Sequence, residues 1–84
     1  MTRLGERLNR HLTDGYARAL TLEAECLRIT RRITAVSAGA SENGAPQSTE
    51  LASLSHRLGE TRSELANLRA DLERVRRRFD PPYA

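Results

Sequence analysis

From residue 51 to residue 79 the chain repeats one interval pattern, three residues then four, without a break. Leu51, Leu54, Leu58, Thr61, Leu65, Leu68, Leu72, Val75 and Phe79 fall on it, and Thr61 is the only polar member. A sustained heptad of this kind predicts a helix that supercoils with a partner helix rather than one lying on a broad globular core. The first half of the chain carries a matching seam: Leu8, Leu12, Gly15, Ala19, Leu22, Cys26, Ile29, Ile33 and Val36.

Between the two seams lies a stretch of small residues with Gly, Ser and Pro. Its composition predicts a flexible loop over about residues 38–48. The predicted organisation is a single domain over residues 1–84: a helix over about 2–37, that loop, a helix over about 49–79 and a short C-terminal tail. Thr2 can cap the first helix and Ser48 or Thr49 the second, with Glu50 in the second helix's first turn. Pro81 and Pro82 end the second helix by Asp80.

The two seams fit one antiparallel register, in which facing residues have numbers that sum to 87. Val36 then meets Leu51, Ile33 meets Leu54, Ile29 meets Leu58 and Cys26 meets Thr61. Further along, Leu22 meets Leu65, Ala19 meets Leu68, Gly15 meets Leu72, Leu12 meets Val75 and Leu8 meets Phe79. Small faces large at Gly15 and Ala19, as close packing requires. The predicted fold class is therefore all-α: a two-helix hairpin forming an antiparallel coiled coil. Matching flanking charges by nearest position gives a divided result. Arg18 with Asp71 and Glu23 with Arg62 are favourable, and Tyr16 falls under Arg69. Glu25 falls near Glu64 and Arg32 near Arg57, both unfavourable.

Composition adds to this picture. Charged residues make up 30% and aromatics 4%, the balance of a long-helix protein rather than of a β-sandwich or an α/β enzyme. With 84 residues the chain buries only a thin core, which favours self-association or a partner. All 14 basic residues are arginine, and the net charge is +3, a balance that a solvated helix surface gives by itself. Cys26 is the single cysteine, so no intramolecular disulfide framework is expected. No apolar run suits a membrane span, and Arg3, Glu6, Arg7 and Arg10 leave no signal-peptide core at the start. A cytoplasmic protein of bacterial type is the expectation.

Three features are candidates for function. Tyr16, Leu20 and Leu27 form an apolar stripe on the first helix outside its seam, with Ala24 nearby, and predict a partner-binding face. Arg3, Arg7 and Arg10 share one end of the hairpin with Arg74, Arg76, Arg77 and Arg78, a candidate anion-binding or nucleic-acid-binding pole. Glu6, Asp14, Asp71, Glu73 and Asp80 share that end and weaken its field, and no helix-turn-helix spacing or aromatic run accompanies it. Cys26, a seam residue four turns from His11, with His56 on the solvent face of the second helix, reads as a small buried hydrophobe rather than a reactive thiolate.

No catalytic, cofactor-binding or metal-binding constellation is legible. One Cys and two scattered His lack ligand spacing, and there is no phosphate loop or nucleophile elbow. The expected function is non-catalytic, without cofactor, small-molecule substrate or membrane. It is that of an adaptor-like coiled-coil module that self-associates or docks on a larger protein. The simplest self-association is a two-fold homodimer, in which the first helix packs on its own copy to complete a four-helix bundle. Nucleic-acid or anion binding through the arginine pole is the alternative.

Overall fold

The computed structural model describes residues 2–39 and 45–79, with side chains described over residues 3–39 and 48–78. Helix α1 spans Thr2–Ala38 and helix α2 spans Ala45–Phe79. They pack along their lengths as an antiparallel hairpin, 62 × 24 × 16 Å.

Every described seam residue lies at the interface. Ala19, Leu22, Ile29 and Val36 of α1 and Leu54, Leu58, Thr61, Leu65 and Leu72 of α2 are buried, and the remaining described seam residues are half-buried. Ile29, Val36, Leu54 and Leu58 form one core cluster, joined by Cys26, Ile33 and Leu51. Ala19, Leu22 and Leu65 form a second with Leu68. The register is the one read from the sequence, and it is most visible at Gly15. A Cβ added there would collide with Leu72 Cδ2 and lie 3.2 Å from Leu72 Cδ1 and Cγ. The buried leucine occupies the space that the absent side chain leaves, which is why a helix-weakening residue sits in the seam. The two clusters lie on either side of the Thr61 layer, the one buried polar position among the described residues. The expected contact between Leu8 and Phe79 involves a side chain outside the described residues.

The helix ends differ from the sequence expectation on the loop side. α2 begins at Ala45, earlier than the expected start at residue 48 or 49. Pro46 falls in the first turn, where its missing N–H has no helical partner to lose and its fixed φ suits the helix. Ser48 and Thr49 are consequently inside the helix rather than at its cap, and Glu50 lies beyond the first turn. α1 runs to Ala38, and the Gly39 N–H closes it by donating to the Ala35 carbonyl at 3.3 Å and the Val36 carbonyl at 3.2 Å. α1 begins at Thr2, so the expected cap is itself helical, and its side chain lies outside the described residues. The loop expectation for residues 40–44 and the tail expectation for residues 80–84 also fall outside them. Arg76, Arg77 and Arg78 occupy the last turn of α2, where cations oppose the negative end of the helix dipole.

Candidate interaction surface

In heptad notation Ala19, Cys26 and Ile33 of α1 and Leu51, Leu58 and Leu65 of α2 are a positions, and Leu22, Ile29, Leu54 and Leu68 are d positions. Each side of the seam is then bordered by one row from each helix: g faces g on one flank and e faces e on the other.

The g flank is a ladder of opposite charges. Arg18 Nη2 donates to Glu64 Oε2 at 2.6 Å. Arg57 Nη2 lies 3.9 Å from Glu25 Oε1. Arg32 donates twice to Glu50 Oε2, from Nε at 3.2 Å and from Nη2 at 2.7 Å. These pairings replace the ones expected by nearest position. Arg18 engages Glu64 rather than Asp71, Glu25 engages Arg57 rather than facing Glu64, and Arg32 turns to Glu50 rather than to Arg57. The physical reason is reach. An arginine side chain spans about one helical turn, roughly 5 Å along the axis, so at Glu25 and Arg32 the sign of the charge selects the partner over the axially nearer residue; at Arg18 both candidates are acids and the sign does not distinguish them. The two like-charge clashes expected from the sequence are relieved in this way. Each exposed pair contributes only about 0.2–1 kcal/mol, so the ladder refines a register that the apolar seam already sets.

The e flank is different. Glu23 of α1 pairs with Arg69 of α2, not with Arg62, and Arg69 is thereby drawn to a carboxylate instead of the ring of Tyr16. Glu23 sits between Leu20 and Leu27 on the outer face of α1. Leu20 is 66% exposed, Leu27 56% and Tyr16 45%. Tyr16 is at e, Leu20 and Leu27 are at b, and Ala24 lies beside them at f. Together with Thr13, Glu23, Thr30 and Thr34 they make a second stripe at alternating four- and three-residue spacing. Two of these threonines satisfy their hydroxyls within the helix. Thr30 Oγ1 donates to the Cys26 carbonyl at 2.8 Å, and Thr34 Oγ1 to the Thr30 carbonyl at 3.1 Å. Hydroxyls bonded to their own backbone need no outside partner, so this part of the face is less polar than its residue names suggest.

Leu4 is a further exposed apolar side chain, at 63%, which the sequence reading did not single out. It lies at a g position near the start of α1, away from the stripe. Its only sequence signal is a large apolar residue off the seam.

The hairpin brings the arginine clusters to one end but does not make them converge. Arg3 and Arg10 of α1 and Arg77 of α2 occupy f, the heptad position farthest from the seam, so the two helices carry them on opposite sides. Arg7 and Arg74 lie at the neighbouring c positions, Arg76 at e and Arg78 at g, and all seven are exposed. Two are engaged within α2: Arg74 Nη2 donates to Asp71 Oδ1 and Arg77 Nε to Glu73 Oε1, each at 3.2 Å.

Cys26 is half-buried and packs against the loop-side core cluster. Among the described residues no three His, Cys, Asp or Glu side chains group as metal ligands. Among the described residues one surface depression is an open strip of α2, lined by Ser55, Gly59, Ser63 and Asn67 among others. No described helix is long and apolar enough to cross a membrane. Comparison with protein-family models, with curated proteins and with solved structures found no match.

Proposed function

We propose that this chain is a non-catalytic helical interaction module, which presents the outer face of α1 to another helical surface, by self-association or by docking on a larger protein. One observation carries the reading. Tyr16, Leu20 and Leu27 remain 45–66% exposed, in line at helical spacing, on a hairpin whose core is already complete without them. Scattered exposed apolar residues are ordinary on any surface, but three large ones aligned beside a second heptad stripe are the pattern of a helix with two neighbours. Burial of a large apolar side chain is worth about 1.5–3 kcal/mol when complete, so covering what these three still expose contributes roughly 2.5–5 kcal/mol toward association. A cytoplasmic setting accompanies this reading, since the chain has a single cysteine and its core is built without disulfides.

Analytical ultracentrifugation at micromolar concentration, paired with capture from the source cell lysate, tests it. The Leu20→Glu plus Leu27→Glu protein is expected to stay helical and to lose whichever association the native protein shows. A native protein whose self-association and partner capture are both unchanged by this double substitution defeats the proposal. The arginine pole supports anion or nucleic-acid binding less well, because its charges diverge and Arg74 and Arg77 are already paired. Tight binding of DNA that resists salt and disappears on Arg76→Glu, Arg77→Glu and Arg78→Glu would promote that alternative.

A further inference from the structure

We propose that the partner of the α1 stripe is an amphipathic helix of a different chain, about 22 residues long, whose apolar ridge is bordered by glutamate or aspartate, and not a second copy of this chain. The inference rests on the interaction-module reading and adds the chemistry of the occupant.

The stripe runs from Thr13 to Thr34 with a steady four-three spacing, which only another helix matches in step over that length. Its borders are basic. On the α2 side run Arg62, Arg69 and Arg76, seven residues apart, and the pairing of Arg69 with Glu23 places this row on the stripe's own flank. On the far side the f row of α1 carries Arg10, Ala17, Ala24 and Arg31. Five arginines therefore border a stripe with one carboxylate, Glu23, and that carboxylate is taken by Arg69. Glu73, the nearest acid on the α2 side, is taken by Arg77. Arg31 and Arg62 have no carboxylate partner among the described residues. Ala17 and Ala24, between Arg10 and Arg31, let a helix approach closely.

A second copy does not complement this border. In a two-fold contact of α1 with α1 each basic rim meets the basic rim of the other protomer. The acids that could answer, Glu25, Glu50 and Glu64, lie on the opposite flank and are engaged there by Arg57, Arg32 and Arg18. An acidic rim on a foreign helix supplies the missing charges, and like charges across the same contact exclude wrong partners.

The test uses the whole protein and two synthetic probes. Each is a 28-residue heptad peptide with leucine at a and d; one has glutamate and the other lysine at every e and g. Like charges keep each peptide from pairing with itself. Titration calorimetry at 0.1 M salt is expected to show micromolar binding of the glutamate peptide and at least tenfold weaker binding of the lysine peptide. Arg31→Glu plus Arg62→Glu is expected to abolish that preference, with Arg31→Gln plus Arg62→Gln as the milder variant and far-UV circular dichroism as the fold control. Leu20→Glu plus Leu27→Glu is expected to remove binding of both peptides. Equal binding of the two peptides, or binding of neither, overturns the proposal. So does stronger binding to phosphatidylserine vesicles or to duplex DNA than to the glutamate peptide. A native dimer that dissociates on Leu20→Glu plus Leu27→Glu also overturns it, while leaving the interaction-module reading intact. Both fail together if no association depends on Leu20 and Leu27.

Discussion

The two flanks of this hairpin border the same seam and are built to opposite ends. On the g flank three arginines each have an acid from the other helix: Arg18 with Glu64, Arg57 with Glu25, Arg32 with Glu50. The row is neutral, and none of these groups is left for a further protein. On the e flank a single cross-helix pair, Glu23 with Arg69, is set among exposed leucines and tyrosine, with arginines at the border. A coiled coil that needed only to hold its two helices together could close both flanks with paired charges. The asymmetry indicates that the g flank helps specify the hairpin, whereas the e flank is the side with unused apolar surface and unused charge.

The largest test of this contrast removes what both flanks share. Leu22 and Leu72 are the most fully buried side chains, 1% and 2% exposed. Leu22→Ala or Leu72→Ala is expected to destabilise the hairpin by about 2–5 kcal/mol, the usual range for emptying a packed leucine site. Urea unfolding followed by circular dichroism should show it, with little change between low and high salt. A salt-sensitive loss would mean that charge rather than the seam carries the fold.

Next in size is an attack on the closed flank. Arg18→Glu, Glu25→Arg and Arg32→Glu together turn three attractive pairs into three like-charge pairs. At about 0.2–0.5 kcal/mol per pair, the lower half of the range for exposed pairs, with repulsion of similar size, a total of about 1–3 kcal/mol is expected, shrinking as salt rises. Adding Glu64→Arg, Arg57→Glu and Glu50→Arg should restore most of it. If the second set of reversals adds to the damage, the pairing described for this flank is incorrect.

A pair of glycine substitutions separates seam from outer face at about 1 kcal/mol. Gly59 is exposed, with nothing within 4 Å of an added Cβ, so Gly59→Ala should stabilise by up to about 1 kcal/mol through helix propensity. Gly15→Ala makes the same propensity gain but drives a methyl into buried Leu72. Overpacking typically costs about 1–3 kcal/mol, so net destabilisation is expected. Thermal melts of the two variants should move in opposite directions.

The smallest effect on stability is expected on the open flank. Leu20→Glu plus Leu27→Glu should change unfolding free energy by no more than about 0.5 kcal/mol, because both side chains are mostly in water already. A loss of several kcal/mol would show that the stripe belongs to the core of the hairpin and would weaken its reading as a docking face.

Much of this architecture is written in the chain. The alternating spacing of Leu51 through Val75 and of Leu8 through Val36 determines which face of each helix is buried, because a heptad repeat is a property of one helix and needs no knowledge of its partner. The register follows as well, since Gly15 and Ala19 demand large residues opposite and Leu72 and Leu68 provide them at one shared offset. The stripe of Tyr16, Leu20 and Leu27 is legible for the same reason. What the sequence alone did not decide was how the flanks pair. Arg18 has acids within reach in several directions, and choosing Glu64 requires the distance between two helix surfaces and the length of a guanidinium arm in three dimensions. The start of α2 at Ala45 was likewise hidden, because Pro46 reads as loop punctuation unless it falls in a first turn, where its missing N–H has no helical partner to lose. The sequence register already set Arg62 and Arg69 beside Glu23 and Tyr16. Only the tertiary structure decided that Glu23 is taken by Arg69, which leaves Arg62 with no carboxylate partner among the described residues, because that choice depends on how far each side chain reaches across the two helix surfaces.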